Sequence, residues 1–343
     1  MQFTPSVSLA NYSTMRLGGI ANYLADAHTR DELVEAVAWA REKQLPVRVI
    51  GGGSNIVWQD SGFNGLVLVN KISGFELTEL NETERRLVVG AGENWDSVVA
   101  RTVAEGLKGI EALSLIPGTA GATPIQNVGA YGQEIAQTLE SVEAYDVETG
   151  QFTSLTNAEC KFGYRSSIFK TDAPGRYLIT SLTLRLKVGN PLPPYYSAVQ
   201  SWLEANPTDG PITPALLREA VVAIRTAKLP DPAVVANNGS FFANPVVDAS
   251  LLANLKREYP EVPNWPREDG GAKIPAAWLI EQAGFKDFHD DATGMSTWPK
   301  QPLVLVNEHA RTTTDLIAFR DRIVDAVAEK FGITLTQEPE ILP

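Results

Sequence analysis

Ser240 is the side chain in this sequence whose neighbours point most clearly to a positioned, reactive hydroxyl, a candidate nucleophile. It stands in the segment NGSFFANP, Asn238–Pro245, between a glycine and two phenylalanines. Exposing both rings to water is unfavourable. A proline cannot donate a ladder hydrogen bond, so the segment is also a poor core strand. Two interpretations remain open: a strand end under a turn, or a hydroxyl held rigidly beside an apolar pocket, near the Asn244 amide.

A glycine-rich loop follows a short predicted strand, Leu45–Ile50, and is a candidate phosphate cradle. Glycine lets the backbone approach a diphosphate closely and direct successive N–H groups toward it. No Gly-Lys-Ser/Thr sequence follows, so the loop is not a P-loop. Ile56 occupies the third glycine position of the dinucleotide fingerprint, which excludes a Rossmann motif and leaves a tight structural turn as the alternative. The residues concerned are Gly51, Gly52, Gly53, Ser54 and Asn55.

A second glycine-rich tract, Ile116–Gly132, contains two prolines and many small residues, so neither a regular helix nor a regular strand is expected. It is too apolar for a solvated linker, and the backbone groups of a buried irregular loop need hydrogen-bond partners. A flat heteroatom-rich ring with a diphosphate tail would supply such partners. The two tracts together therefore favour an extended nucleotide cofactor. In this tract the candidate cofactor-binding residues are Pro117, Gly118, Asn127, Gly129, Ala130, Tyr131 and Gly132.

Charged residues stand in two unusual settings. Arg165 lies among aromatic and aliphatic residues in Gly163–Lys170. An unpaired buried guanidinium is costly, so this side chain predicts an anionic partner, either a protein carboxylate or a substrate carboxylate. Glu338 and Glu340 flank Pro339 near the C-terminus and are either solvated tail charges or acids of a site.

A third basic region is predicted at the end of a helix that begins with Thr213-Pro214. Arg225 and Lys228 lie there and could bind phosphates, although a lysine near a helix C-terminus also interacts favourably with the helix dipole. Tyr195 and Tyr196 follow a proline-rich break and could join them.

The surrounding patterns predict an α+β fold with several mixed sheets. An amphipathic helix is expected over Asp31–Arg41 with Thr29 as its cap. A longer helix is expected from Thr314, with Gly332 as its stop and with one apolar face formed by Leu316, Phe319, Ile323, Val327 and Phe331. A helix near Pro275–Gln282 and a domain boundary at Lys228–Pro232 complete this description.

The composition narrows the class of protein. The chain has 343 residues and a net charge of −12 without a Lys/Arg-rich run, so nucleic acid and anionic membranes are not expected partners. Cys160 is the only cysteine, which fits a reducing compartment. Neither a signal peptide nor an apolar run of about 20 residues is visible, so we expect a soluble cytoplasmic protein. The three histidines lack metal-ligand spacing, and no metal site is expected.

In this order, six segments resemble the UDP-N-acetylenolpyruvoylglucosamine reductases, the flavoenzymes of bacterial cell-wall precursor synthesis. The resemblance runs from about Asn11 to Glu340, and the loop Pro191–Tyr196 resembles the tyrosine-bearing loop of the type I subgroup. The six segments are Gly51–Asn55, Ile116–Gly132, Phe162–Lys170, Lys228–Pro232, Gly239–Pro245 and Glu338–Glu340.

The resemblance implies three domains, at residues 1–70, 71–228 and 229–343, with the tail from about residue 333 returning to the site. The first two would bind FAD in the manner of vanillyl-alcohol-oxidase-type flavoproteins, and the third would close over a UDP-sugar. NADPH would reduce the flavin, and hydride would then pass to the enolpyruvyl ether to give UDP-N-acetylmuramate. A monomer is expected.

The resemblance also implies roles for individual residues. Ser240 would donate a proton to the substrate carbon next to its carboxylate. Arg165 would stabilise the negative charge that develops on the substrate, and Glu340 would act as an acid at the substrate's carboxylate end. The sequence departs from the family pattern at two places. The run Met295–Pro302 is two residues longer than in the family, and Ala243 stands where the family commonly has a lysine. The implied substrate-binding residues are Tyr196 (or Tyr195), Arg225, Lys228, Asn244 and Gln301.

Two other functions stay open from the sequence. An oxidase of the same cofactor-binding fold would act on an alcohol or a hydroxy acid and consume oxygen, although the context of Ser240 argues against it. A non-catalytic sugar-nucleotide-binding protein would be colourless and would still bind the UDP-sugar.

Overall fold

Seven α-helices and twenty-one β-strands make up this α+β chain, and the structure, a computed structural model, describes residues 1–343. The helices are α1 (Arg30–Glu42), α2 (Trp95–Ala104), α3 (Ser197–Ala205), α4 (Pro214–Lys228), α5 (Ala249–Glu258), α6 (Ala276–Gln282) and α7 (Thr313–Phe331). None of them is both long and apolar enough to cross a membrane.

The strands are mostly short. They are β1 (Thr4–Ser8), β2 (Ile20–Ala27), β3 (Val47–Ile50), β4 (Ile56–Trp58), β5 (Phe63–Asn70), β6 (Phe75–Asn81), β7 (Glu84–Gly90), β8 (Leu107–Lys108), β9 (Gly129–Ala130), β10 (Gln133–Glu134), β11 (Leu139–Asp146), β12 (Gln151–Thr156), β13 (Tyr177–Val188), β14 (Ala236–Ser240), β15 (Val246–Val247), β16 (Trp265–Pro266), β17 (Ala272–Lys273), β18 (His289–Asp290), β19 (Met295–Trp298), β20 (Gln301–Asn307) and β21 (Glu340–Leu342).

The chain forms two compact units, each assembled from several segments. Unit 1 consists of Met1–Val7, Ala21–Gly52 and Asn64–Ala227. Unit 2 consists of Ser8–Ile20, Gly53–Phe63 and Lys228–Pro343.

Two sheets organise unit 1. The first has the order β1-β2-β5-β3, with β3 and β5 parallel, and its core includes buried residues of α1. Thr29 caps α1 by accepting a hydrogen bond from the Glu32 N–H, as predicted. The second sheet has the order β12-β11-β13-β7-β6, with β8 paired to β13, and the buried Trp95 of α2 belongs to its core.

Unit 2 is built around α7 and the sheet β14-β20-β19-β18. Buried residues recur at helical spacing along α7, which confirms the predicted apolar face: Leu316, Phe319, Ile323, Val327 and Phe331. Thr312 and Asp315 form a capping box at its start, and Gly332 ends it with φ +67°. A small sheet, β15-β17-β16, and the parallel pair β21–β4 complete the unit.

Candidate active site

The loop after β3 contacts the second glycine-rich tract within unit 1. A Cβ atom added at Gly51 would lie 2.2 Å from the Thr119 Oγ1 atom, and one added at Gly52 would lie 3.0 Å from the Gly118 Cα atom. Neither position has room for a side chain, so the two loops meet through backbone and small groups. Closely apposed glycine loops of this kind fit a diphosphate-bearing cofactor, which binds through backbone N–H groups.

The second tract folds without long regular elements, as predicted. Its Ala120 N–H donates to the Glu93 carbonyl across 2.8 Å, and its Gly118 carbonyl accepts from the Trp95 N–H across 3.1 Å. The tract then forms the two-residue hairpin β9–β10, whose turn residues Tyr131 and Gly132 have φ values of +49° and +85°. Two successive positive φ angles are typical of a type I′ turn. This turn fixes the direction of the Tyr131 side chain.

Arg165 lies in a second tight turn of unit 1. Gly163 and Ser166 exchange two backbone hydrogen bonds of 3.0 and 3.2 Å, and Arg165 between them has φ +53°. A non-glycine residue in this region is held by its surroundings at a conformational cost and is common at functional sites. The Arg165 guanidinium donates to the Gly129 carbonyl across 3.2 Å and lies 5.3 Å from the Tyr164 ring centroid.

Asn127 connects the tract to this turn. Its side chain is 2% exposed, and Nδ2 donates to the Glu134 carboxylate at 2.8 Å and to the Gly163 carbonyl at 3.1 Å. Oδ1 accepts a hydrogen bond from the Ala136 N–H at 3.2 Å. Both amide hydrogens are therefore committed inside the protein, and one of them holds the Gly163 carbonyl, two residues before Arg165.

A polar cluster formed by residues of α2 and α4 lies beside Tyr131. Asp96 accepts two hydrogen bonds from Arg218, at 2.6 and 2.9 Å. Burial lowers the pKa of the neighbouring Arg225, against the opposing effects of Tyr131 and Asp96. Burial also raises the pKa of Tyr131, although the Arg225 charge and hydrogen bond oppose it, so the hydroxyl stays protonated at neutral pH. The Arg225 Nε atom is buried and has no hydrogen-bond partner.

Tyr131 and Tyr196 form an edge-to-face pair, with ring centroids 5.6 Å apart. Both line a cavity of about 390 Å³ in unit 1. Three basic residues, Lys108, Arg185 and Lys187, also line this cavity, together with the acidic Glu111. Arg185 is paired with Glu140 at 3.7 Å, so the basic wall carries a modest excess of positive charge. Such a cavity is suited to a phosphorylated ligand.

Ser240 is the last residue of β14 in unit 2 and is half-buried. The pairing of β14 with β20 is irregular between Asn237 and Ser240, and Gly239 there has φ +69°. A bulge of this kind redirects side chains at the end of a strand. Phe241 and Phe242 follow and are 0% and 1% exposed, so both rings belong to the core of unit 2 and Ser240 stands at a strand end beside them.

The C-terminal tail runs along this segment in unit 2. The Glu338 N–H donates to the Phe241 carbonyl across 2.9 Å, and the Glu338 side chain is buried. The Glu340 N–H donates to the Asn55 carbonyl across 3.0 Å, where β21 begins its parallel pairing with β4. The tail is therefore an ordered strand, and it borders both the Ser240 segment and the Gly53–Asn55 part of the first glycine loop.

The remaining predicted residues of unit 2 lie on two elements. Asn244 accepts a hydrogen bond from the Ala276 N–H at 2.9 Å, at the start of α6. The longer run Met295–Pro302 forms the tight hairpin of β19 and β20, in which Gln301 pairs with Trp298. The Trp298 indole donates to the Lys228 carbonyl across 3.1 Å, which ties this hairpin to Lys228.

Sequence reasoning did not single out Asp96 and Arg218. They are 122 positions apart in the chain, and only their pairing on α2 and α4 reveals them. The structure holds no group of three or more His, Cys, Asp or Glu side chains that could bind a metal ion.

Two family models match this chain. Residues 21–156 match the family model of an FAD binding domain. Residues 231–342 match the model described as UDP-N-acetylenolpyruvoylglucosamine reductase, C-terminal domain.

Relatives named UDP-N-acetylenolpyruvoylglucosamine reductase match nearly the whole chain. The Ralstonia nicotianae protein is 40% identical over 341 residues, covering 98% of both chains. The Alcanivorax borkumensis protein is 43% identical over 335 residues, covering 98% of this chain and 95% of its own. The crystal structure of the Thermus caldophilus reductase covers 100% of both chains at 23% identity and a TM-score of 0.68, which shows a shared fold.

Proposed function

The chain belongs to the UDP-N-acetylenolpyruvoylglucosamine reductase family, and from this premise we propose which of its side chains perform the reaction. The protein is an FAD-dependent oxidoreductase that uses NADPH to convert UDP-N-acetylenolpyruvoylglucosamine to UDP-N-acetylmuramate. Full-length relatives favour this activity over oxidation of an alcohol or a hydroxy acid.

The glycine loops fit FAD because glycine lets a diphosphate approach the backbone N–H groups closely, and the two loops lie against each other. Bound FAD supplies the hydride chemistry, accepting hydride from NADPH and delivering it to the vinyl carbon of the enolpyruvyl ether. The residues proposed to hold the cofactor are Gly51, Gly52, Gly53, Ser54, Asn55, Pro117, Gly118, Asn127, Gly129, Ala130, Tyr131 and Gly132. Since the Asn127 side chain is committed elsewhere, we assign it a supporting part in which it shapes the tract.

Ser240 protonates the carbon next to the substrate carboxylate in this proposal. Hydride addition leaves negative charge on that carbon, spread into the carboxylate as an enolate-like dianion. An alcohol is a weak acid at neutral pH, but this dianion is a strong base, so proton transfer is feasible when the hydroxyl is well positioned. The observation that carries the proposal is the placement of Ser240 at a strand bulge, beside two fully buried phenylalanines.

Arg165 and Glu340 act on the same dianion in this proposal. A preorganised guanidinium stabilises developing negative charge strongly in a site from which water is excluded. The tight turn around Arg165 supplies the preorganisation. A bare carboxylate would repel the intermediate, so Glu340 can assist only when it is protonated or bridged to the substrate carboxylate.

Five residues are proposed to bind the UDP-sugar. A diphosphate carries negative charge, which suits the cations and the hydroxyl and amide donors of this set. Tyr196 lines the basic cavity, and Gln301 and Lys228 are joined through Trp298. The set is Tyr196, Arg225, Lys228, Asn244 and Gln301.

The division into domains at 1–70, 71–228 and 229–343 also stays a proposal, as do a monomeric state and a cytoplasmic location. A peptidoglycan-precursor enzyme of this kind would contribute to cell shape and cell division. The presence of a single cysteine, Cys160, is compatible with a reducing, intracellular setting.

The Ser240→Ala variant tests the proposed chemistry when its two half-reactions are followed separately by stopped-flow absorbance. We expect NADPH to reduce the flavin within about twofold of the wild-type rate, and reoxidation by the enolpyruvyl substrate to slow by about 10²–10⁴-fold. Ser250→Ala, on the exposed face of α5, is the matched control and should leave both rates unchanged. Equal losses in both half-reactions of Ser240→Ala would remove Ser240 from the proton transfer.

A further inference from the structure

Two neighbouring tyrosines end the proline-rich loop Pro191–Tyr196, and they have different contacts. The Tyr195 hydroxyl donates to the Pro191 carbonyl across 3.1 Å, and the Tyr195 ring packs against the buried core formed by α3 and α4. The Tyr196 ring keeps 38% of its surface exposed and lines the cavity of unit 1. The Tyr195 hydroxyl is therefore committed within the loop, whereas Tyr196 meets the cavity through an exposed ring.

The exposed ring of Tyr196 rests on Tyr131. The two rings lie edge-to-face, with their centroids 5.6 Å apart and their planes at 88°. Aromatic pairs favour this geometry over a face-to-face sandwich, because the positive edge of one ring meets the negative face of the other. The pair joins the second glycine-rich tract, which carries Tyr131, to the proline-rich loop.

Tyr131 is held from three sides. Its backbone is set by the turn of the β9–β10 hairpin, where it has φ +49°. Its ring packs against the same core of α3 and α4, and Arg225 donates a hydrogen bond to its hydroxyl. In the proline-rich loop, by contrast, Leu192 is 76% exposed. Of the two paired rings, Tyr131 is therefore the fixed one and Tyr196 is the one that it holds.

We propose that Tyr131 is a positioning residue for the UDP-sugar, because its ring holds Tyr196 in the orientation that binds this substrate. This inference rests on the proposed function, which gives Tyr196 a part in binding the UDP-sugar. Since Tyr131 belongs to the tract proposed to hold FAD, its ring also connects the cofactor tract to the substrate loop. The ring acts through Tyr196 and takes no part in hydride or proton transfer.

The test follows reoxidation of the NADPH-reduced enzyme by stopped-flow absorbance at increasing concentrations of UDP-N-acetylenolpyruvoylglucosamine. Tyr131→Leu removes the aromatic edge, and we expect the half-saturating concentration to rise about three- to tenfold. The limiting rate of reoxidation and the rate of reduction by NADPH should stay within about twofold of the wild type, because only binding is affected. Tyr131→Phe keeps the ring and should raise the half-saturating concentration less than Tyr131→Leu does.

A double-mutant cycle shows whether the effect passes through Tyr196. Tyr196→Leu should raise the half-saturating concentration by itself, and adding Tyr131→Leu to it should cause no further rise, since both changes break one contact. Phe152→Leu is the matched control, because it removes an edge-to-face partner of Tyr145, at 5.3 Å, elsewhere in unit 1. It should lower the Tm and leave the half-saturating concentration unchanged.

Three results would overturn the inference: additive effects in the cycle, an unchanged half-saturating concentration in Tyr131→Leu, or a rise in the Kd for FAD as its only effect. The last would make Tyr131 a cofactor ligand alone. If Tyr131→Leu does not fold, Tyr131→Asn takes its place in the cycle, because asparagine tolerates the positive φ of this turn. Failure of Tyr196→Leu to weaken binding of the UDP-sugar would instead contradict the proposed function of Tyr196.

Discussion

The Asn127 side chain donates a hydrogen bond to the Gly163 carbonyl oxygen across 3.1 Å, and this bond joins the second glycine-rich tract to the turn of Arg165. Asn127 itself has φ +47°, a conformation that asparagine tolerates better than most residues. One buried side chain thus contacts both a proposed cofactor loop and the turn that carries a proposed catalytic cation.

Replacing Asn127 by alanine should therefore harm folding and cofactor binding together. The change removes three hydrogen bonds and leaves the Glu134 carboxylate, the Gly163 carbonyl and the Ala136 N–H short of a partner. We expect the free energy of unfolding to fall by about 2–4 kcal/mol. Urea denaturation of the apo protein measures this loss, and a change below about 0.5 kcal/mol would contradict the assignment.

Gly51 provides a test of the contact between the two glycine loops. In Gly51→Ala the new methyl group would lie 2.2 Å from Thr119 Oγ1, so one of the loops must shift and FAD should bind at least about tenfold more weakly. The double variant with Thr119→Ala removes the clashing oxygen and should recover part of the affinity.

Gly210→Ala is the matched control for this pair, because nothing lies within 4 Å of its added Cβ atom. It should bind FAD as the wild type does. Absence of any recovery in the double variant would show that Gly51 is needed for a reason other than space beside Thr119.

Arg165→Ala should act on the second half-reaction alone. Loss of a preorganised cation removes stabilisation of the dianion, and we expect reoxidation by the enolpyruvyl substrate to slow by about 10²-fold or more. Arg165→Lys keeps the positive charge but loses the forked guanidinium. Its rate of reoxidation should therefore lie between that of the wild type and that of Arg165→Ala. Unchanged reoxidation in Arg165→Ala would exclude the residue from the reaction.

Asp96 links stability to pH. Burial alone would raise the pKa of this carboxyl, but hydrogen bonds from Arg218 and the Leu115 N–H, with the nearby charges, outweigh it and lower the pKa below its usual value. Because the folded-state pKa is the lower one, the stabilisation is complete above the unfolded-state pKa of about 4 and is lost as the pH falls through the folded-state value.

Asp96→Asn should therefore unfold more easily than the wild type at pH 7, by about 2 kcal/mol. The difference should stay constant down to about pH 5 and shrink at lower pH, as the wild-type carboxyl takes up its proton. Urea denaturation at several pH values measures it. A difference that grows on acidification would contradict the assigned pairing.

Local patterns predicted much of the fold. The apolar stripe of α7 and its Gly332 stop, the helix α1 with its Thr29 cap, and the glycine loops all follow from spacing of three to four residues or from backbone freedom. Helix α3 was missed because the proline-rich break precedes it and its N-cap, Tyr196, makes no capping hydrogen bond. Helix α5 carried a signal that could have revealed it, since Asp248 accepts from the Leu251 N–H as an N-cap.

The site was predictable only where chemistry is local. Ser240 beside two phenylalanines and Arg165 in an apolar segment are visible in a few residues of sequence. The Asp96–Arg218 pair and the contact of Tyr131 with Tyr196 join residues that are far apart in the sequence, so no local pattern reports them. Their discovery requires the folded chain.

An anaerobic absorbance titration of the FAD-loaded wild-type protein tests the central claim most directly. NADPH should bleach the flavin band, and one equivalent of UDP-N-acetylenolpyruvoylglucosamine added afterwards should restore it and yield UDP-N-acetylmuramate. Bleaching without recovery on addition of the UDP-sugar, or a protein that takes up no FAD, would contradict the account.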